Sequence, residues 1–480
     1  MNTRNTLWTR EAAVLATNGR SWGHDWRARN IAIDSRQVRQ GDLFVALIGD
    51  QFDGHTFLQA AYDAGAVAAI VSRRPKDAPA ELPLIEVFDT LVALTALATA
   101  ARARLSAAVI AVTGSVGKTG SKEGLAHALA KFGSCHVSAG NLNNHIGAPL
   151  SLARAPADSD FCVLEMGMNH AGEIAPLSRL ARPNIALITN VEAVHIGHFE
   201  SLQAIAAAKC EIFDGLEAGG IAVLNRDDAM FDFCRQAAAA RGITKVITFG
   251  RNEDADVHLL KCQSDATGST VTAAVGTTEL SYRLTAVGAH WVTNSLGILA
   301  VVHAAQQDIA IAAEAIAPIT AGRGRGGHVD ITLSGGQCLL LDESYNASPP
   351  AMRAALAVLA MTPVGQGGRR IAVLGDMLEL GDHGPQLHAE LAPDVFASGA
   401  DLLFTVGTHM RHLRQAMAVP LDGHHRDTAA EIAAEIAAEV RAGDVILVKG
   451  SLGVGMKAVI AALTDLDMLA TQPRSAVGRG

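Results

Sequence analysis

The stretch "AVTGSVGKTGS", residues 111–121, decides how the middle of the chain folds. It closes the small-apolar run "AAVIAVTG" and precedes "SKEGLAHALAKF", where Leu125, Leu129 and Phe132 recur at helical spacing. An apolar run ending in glycine reads as a buried parallel strand. Strand, glycine turn and helix in that order make an anion site, because a helix N-terminus offers unpaired N–H groups and the positive end of its dipole. The usual phosphate loop, G-x-x-x-x-G-K-[ST], would need glycine at position 112, where Val112 stands. The glycines here are Gly114 and Gly117, with Ser115 and Val116 between them and Lys118, Thr119 and Gly120 after. Lys118 would reach outer phosphates and the Thr119 hydroxyl would hold Mg²⁺. The bland alternative is an ordinary strand–turn–helix with a surface lysine.

Bulk properties narrow the classes. With 480 residues the chain should hold several domains, three being a natural count. A formal net charge of −9 excludes nucleic acid as the main partner, so phosphates must be met by loops and single cations. Hydrophobic residues make up 49% but aromatics only 4%, which points to an aliphatic, alanine-rich core. No apolar stretch approaches the roughly 20 residues of a membrane helix, so no membrane insertion is expected. "MNTRNTLWTREAA" lacks an apolar signal core, and the six cysteines form no C-x-x-C pair. Reduced thiols in a cytoplasmic protein are expected.

Texture divides the chain into residues 1–106, 107–322 and 323–480. The first carries an initial helix, short strands ("IAIDSR", "DLFVAL") and a long helix ending "ATAARARL". The second alternates strands ("FCVLEMG", "NIALITNV", "GIAVLN", "KVITFG") with helices, then becomes polar and antiparallel near 257–287. Glycine-rich "AGRGRGG" (321–327) reads as a hinge into "CLLLDES", "RIAVLGD", "LLFTVG" and "DVILVKG", a second mainly parallel unit. The fold class is therefore α/β with three domains: a central phosphate-loop mononucleotide-binding unit, a small N-terminal unit and a Rossmann-like C-terminal unit.

Several residues could carry chemistry. Glu165 ends a buried strand, where open α/β sheets place ligands; it is a partner for Mg²⁺ near Thr119 or a salt-bridged strand end. His195 and His198 form H-x-x-H, but no further cluster completes a zinc set, and His195 alone suits a phosphate-bound Mg²⁺. Lys209 in "AIAAAKCEIF" reads from spacing alone as a solvated helix lysine. Asp342 could accept ribose hydroxyls or cap the helix that begins at Pro349–Pro350. Lys449 and Ser451, in "VKGSLGVG", lie at a strand end where they could meet a substrate or simply cap a loop.

Together these stretches resemble the Mur ligase family, ATP-dependent amide-forming enzymes of peptidoglycan synthesis, over nearly the whole chain. The family's short loop G-x-x-G-K-[TS] matches Gly114, Gly117, Lys118 and Thr119, so Val112 replaces nothing. Gly120 departs from the usual Thr or Ser; little consequence is expected, since a backbone N–H remains. "DSRQVRQGDLFVALIGDQFDGHTF" (34–57), "GNLNNHIGAPLSL" (140–152), "DESYNASPPAM" and "AVLGDMLELG" (372–381) are similar to the branch that joins D-Ala-D-Ala to UDP-N-acetylmuramoyl-tripeptide. Ser348 stands where Asn is usual, and the D-N-P-R string of the diaminopimelate-adding branch is absent.

The resemblance implies roles. Ser35, Arg36, Asp53, Gly54, His55, Asn141, Asn144, Tyr345, Asn346, Lys449 and Ser451 would bind substrates. Asn294 would contact adenine, Arg323 the γ-phosphate across the hinge, and Asp342 the ribose. Thr119, Glu165 and His195 would hold one of two Mg²⁺ ions, and Lys209 would join them as a CO₂-derived carbamate. The catalytic set would be Lys118, Glu165, His195, Lys209 and Arg323. The partners implied are two small molecules meeting a cytoplasmic monomer. Rival readings are another Mur-type ligase or folylpolyglutamate synthase, a phosphate-loop kinase or NTPase, and an inactive cell-wall scaffold.

Overall fold

The structure, a computed structural model, describes residues 6–194, 196–320, 324 and 326–471, with side chains to 467. Three α/β units follow one another along the chain. The middle unit is built on a nine-stranded sheet. Its six-strand parallel part runs, in spatial order, Cys135–Val137, Phe161–Glu165, Ala108–Thr113, Ile185–Ile188, Ile221–Asn225 and Lys245–Gly250. Val257–Asp265 continues it in parallel; Gly268–Val275 and Thr278–Leu284 then add antiparallel edges.

Strand Ala108–Thr113 shows why its sequence is apolar throughout. Val109 and Ala111 face one core, with Leu94, Leu150 and Ile188; Ile110 and Val112 face the other, with Leu125 and Leu296. Helices cover both faces, so alternation has no place in the strand. The parallel register brings Glu165 beside Val112 and Ile188 beside Thr113, so the carboxyl ends of three strands gather at the glycine turn. Such an edge is where open α/β sheets hold ligands.

The N-terminal unit has a five-stranded sheet ordered Arg20–Trp22, Leu84–Glu86, Ala68–Val71, Asp42–Val45, Asn30–Ala32. Its first strand is antiparallel to the second and the remaining neighbours are parallel. The strand read into "IAIDSR" stops at Ala32. The Asp34 carboxylate accepts the Arg36 N–H at 3.0 Å and turns Ser35–Gln37 into a single 3₁₀ turn. The C-terminal sheet has six strands: Gly327–Leu333, Gly336–Glu343, Val445–Lys449, Arg370–Gly375, Leu402–Val406, His425–Arg426. Only its first pair is antiparallel. No helix among the described residues is long and apolar enough to cross a membrane. All six cysteines are free, with burial raising the Cys135 thiol to about 11 and Cys162 to about 12.

The units are fastened by side-chain-to-backbone bonds. Trp8 Nε1 donates to Ala153 O at 2.9 Å, and Arg154 Nε donates back to Ile31 O at 2.7 Å. Arg102, on helix Thr90–Arg104, donates to the last carbonyls of helix Ile174–Ala181, reaching Ala181 O at 2.6 Å and Arg182 O at 2.8 Å. On the other side, Gly197 N donates to Glu379 O of the C-terminal unit at 3.1 Å. Arg102→Met should therefore cost about 2 kcal/mol or more, because two buried carbonyls lose a charged donor; the urea midpoint reads it.

Candidate active site

The glycine turn is stitched to the segment after strand Ile185–Ile188. Ser115 N donates to Asn190 O at 3.0 Å, Val116 N to Asn190 Oδ1 at 2.9 Å, and Thr189 Oγ1 to Val116 O at 2.7 Å. Gly117 caps helix Lys118–Leu129 in the left-handed region (φ 87°), and a Cβ there would lie 2.6 Å from Asn294 Oδ1. Gly114 is equally constrained, since its Cβ would fall 1.9 Å from Thr189 Oγ1. Both loop glycines are thus demanded by geometry. Lys118 folds over the loop, its Nζ 2.6 Å from Gly114 O and 3.3 Å from Ser115 O.

Glu165 is the most enclosed carboxylate of the site, at 2% exposure. Thr119 Oγ1 donates to Oε2 at 2.9 Å and Asn143 Nδ2 to Oε1 at 2.8 Å. Lys122 Nζ lies 3.7 Å from Oε2 and donates to Gly140 O at 2.7 Å. A buried carboxylate needs this company. The Thr119 hydroxyl and Glu165 carboxylate are adjacent hard-oxygen donors at the helix N-terminus beside Lys118. That donor set fits a phosphate-bound Mg²⁺. Among the described residues no three His, Cys, Asp or Glu side chains cluster for a metal.

Lys209 overturns the reading from spacing alone. It lies at the end of helix Leu202–Cys210 and is 3% exposed, so it is not a solvated lysine. The helix packs against helix Phe231–Ala240, and burial, reinforced by the Lys118 ammonium, holds its amine well below the usual lysine range. Nearby, burial pushes the Asp228 and Glu192 carboxyls up from their ordinary values. His195 and Arg323 lie outside the described residues.

A cavity of about 450 Å³ runs from the loop to the C-terminal unit. Ser115 to Gly120, Asn141, Glu165 and Asn294 line it from the middle unit; Tyr345, Asn346 and Lys449 line it from the C-terminal one. Lys449 Nζ is held by Glu343 Oε2 at 3.2 Å and Asn346 O at 3.0 Å. Other expected residues do structural work in this geometry. Asp342 accepts Gly324 N at 3.0 Å and the Ser344 hydroxyl at 2.6 Å, which leaves Glu343 rather than Asp342 on the cavity wall. Ser451 Oγ accepts Leu378 N at 3.0 Å, and Asn144 Oδ1 accepts Gly147 N at 2.9 Å.

Ser35, Arg36, Asp53, Gly54 and His55 sit in the N-terminal unit, outside this cavity. Ser72 N donates to His55 Nε2 at 2.9 Å, so the ring proton is on Nδ1, which donates to Asp53 Oδ1 at 2.7 Å. Asp53 also pairs with Arg73, and these bonds hold its carboxyl down at about 2 despite the opposing effect of burial. Asn143, Lys122, Glu192 and Trp291 were not singled out from the sequence. Lys122 alone carried a signal, four residues after Lys118 on the same helix face.

Because the buried Lys209 cation is penalised only in the fold, Lys209→Met should raise the melting temperature in bicarbonate-free buffer at neutral pH. The folded-state pKa is depressed, so the unfolded chain binds the extra proton. The wild-type penalty is therefore full at low pH and fades as pH rises toward the ordinary lysine value. Thermal melts of both proteins across that range check it; a gain that grew with pH would contradict it.

Comparison with known proteins bears on the whole chain. Residues 27–102 match the description "Mur ligase family, catalytic domain", 112–302 "Mur ligase middle domain", and 332–452 "Mur ligase, glutamate ligase domain". The UDP-N-acetylmuramoyl-tripeptide–D-alanyl-D-alanine ligase of Escherichia coli is 36% identical over 449 residues, 93% of this chain and 96% of that one. A crystal structure of MurF from Acinetobacter baumannii superposes with a TM-score of 0.83 at 29% identity, covering 95% of this chain and 99% of the other. MurF from Thermotoga maritima, solved in complex with ADP, gives 0.75 at 27% identity, covering 92% and 98%. With loop, carboxylate and cavity in one arrangement and relatives matched end to end, the chain belongs to the Mur ligase family.

Proposed function

We propose that this chain joins D-alanyl-D-alanine to UDP-N-acetylmuramoyl-tripeptide while ATP is converted to ADP and phosphate. The observation that carries the reading is the single cavity in which Lys118 and Thr119 of the glycine turn face Tyr345, Asn346 and Lys449 of the C-terminal unit. An NTPase, whose acceptor is water, has no need of a second polar wall opposite its phosphates. Full-length relatives named for this reaction support it further.

A carboxylate resists amines because its leaving group is poor and its charge repels nucleophiles. Transfer of the γ-phosphoryl group to the tripeptide's terminal carboxylate makes an acyl phosphate, whose leaving group is phosphate. The amine of D-Ala-D-Ala then adds to the carbonyl carbon, and the tetrahedral intermediate expels phosphate. Lys118 and the loop N–H groups lower the repulsion between the two anions brought together. Mg²⁺, when bound, supplies further charge neutralisation at the phosphoryl oxygens, and Thr119 and Glu165 are the described residues that would hold it. His195 and Arg323 complete the proposal by resemblance alone. Asn294 serves the base end, Lys449 the dipeptide, and the Asp53–His55 turn with Ser35 and Arg36 the uridine nucleotide.

Lys209 belongs to the proposal as a carbamate. Its amine, kept below the usual lysine range by burial and by the Lys118 ammonium, is the nucleophilic neutral form: nitrogen attacks CO₂, a proton leaves, and a neutral group becomes an anion that the Lys118 ammonium favours. Incubation with ¹³C-bicarbonate should give a carbamate carbon signal that Lys209→Ala lacks, and small carboxylates should partly restore that variant's activity. No signal and no rescue would reject the carbamate. The acyl phosphate also requires exclusion of water. The protein is taken to act as a cytoplasmic monomer.

The domain contact supplies the closing surface. A Cβ on Gly197 would sit 2.6 Å from Gly381 N, and one on Gly381 (φ 53°) 2.9 Å from Gly197 Cα. Gly197→Val should lower kcat about 100-fold with ADP affinity unchanged, because reacting groups on opposite units are misplaced. Unchanged kcat would remove this contact from the mechanism. The reaction itself is tested by phosphate release from ATP with each substrate omitted in turn. Release should need both, and Lys118→Ala should abolish it; release with neither would favour an NTPase.

A further inference from the structure

Gly120 is glycine where the family usually has Thr or Ser, and the structure gives this a reason beyond the retained N–H. A Cβ at position 120 would lie 3.0 Å from Trp291 Cη2 and 3.1 Å from Cζ3, so any side chain there would press on the indole edge and displace it slightly. Trp291 stands in the first turn of helix Ala289–Ala304, is 9% exposed, and lines the cavity. Asn294, one turn on, lies within contact of both glycines, its amide 2.6 Å from a Gly117 Cβ and 3.8 Å from a Gly120 Cβ. The aromatic face and the phosphate turn are thus joined through one side chain.

The start of helix Pro349–Met361 contributes Pro350, Ala351 and Ala354 to the same lining. These small apolar residues share the cavity wall with the indole, and Glu123 and Asn294 are among its polar groups. Phosphates bind at the turn, one end of this space. A planar aromatic ligand part is what the other end accommodates, since every nucleobase has a face that stacks on indole.

We infer that Trp291 is a wall of the purine-base slot and that Gly120 is glycine in order to admit it. Trp291 is then a base-stacking residue for the nucleotide, distinct from the residues that hold its phosphates. The inference rests on the ATP reading above and names a base-binding residue within it.

Calorimetry on the full chain compares ADP with inorganic tripolyphosphate, which has phosphates but no base, in the presence of Mg²⁺. Trp291→Ala should weaken ADP about tenfold or more and leave tripolyphosphate unchanged. Trp291→Phe should keep ADP within a few-fold. Gly120→Ser should weaken ADP by pressing on the ring, and adding Trp291→Asn should relieve that pressure and return the variant to the affinity of Trp291→Asn alone. Equal ADP affinity in Trp291→Ala and wild type would overturn the inference. So would a parallel loss of tripolyphosphate, which would mark Trp291 as support for the turn. Wild-type protein that bound tripolyphosphate but not ADP would likewise refute it, whereas failure to bind either would defeat the ATP reading itself.

Discussion

The buried Glu165 carboxylate is the constraint on which the rest of the site depends. A charge at the end of a fully covered strand is tolerated only with donors around it, and Thr119, Asn143 and Lys122 supply them from three directions. Meeting that requirement fixes the first turn of helix Lys118–Leu129 against the sheet edge and draws the asparagine-rich segment near 140–144 over it. The carboxylate thus ties the helix start to the sheet edge, while Thr189 and Asn190 hold the glycine turn itself. In the proposed function, Thr119 and this carboxylate are the oxygen donors that would hold Mg²⁺ when phosphates arrive.

The parallel sheet makes this economical. Strands Phe161–Glu165, Ala108–Thr113 and Ile185–Ile188 deliver their carboxyl ends to one place, so Val116 and Asn190, 74 positions apart, meet without long loops. The C-terminal sheet does the same with Glu343 and Lys449, paired in register on adjacent parallel strands. Residues of both edges line the cavity, and Gly197 and Gly381 bring the two units into backbone contact.

What the sequence made legible was local. The short phosphate turn could be read because its glycines, lysine and threonine are contiguous, and the strands could be read because burial on both faces makes them uniformly apolar. Lys209 could not, since its burial comes from helix Phe231–Ala240, and nothing in "AIAAAKCEIF" reports a distant neighbour. Asn143 was hidden among Asn141 and Asn144, three like residues of which one turns toward Glu165 and another accepts the Gly147 N–H. Trp291 carried no signal of its own, since its approach to Gly120 joins residues far apart in sequence. Asp342 and Ser451 illustrate the converse: residues at strand ends that the backbone uses to satisfy its own N–H groups. Family resemblance supplied roles that spacing left open, above all for Lys209.

The most direct test concerns metal coupling at Glu165. Binding of a non-hydrolysable ATP analogue is measured calorimetrically with and without Mg²⁺, in wild type and in Glu165→Gln. The account predicts that Mg²⁺ tightens binding in wild type and that this gain vanishes in the variant, while metal-free binding is preserved or improved by loss of a negative charge. An equal Mg²⁺-dependent gain in both proteins would contradict it.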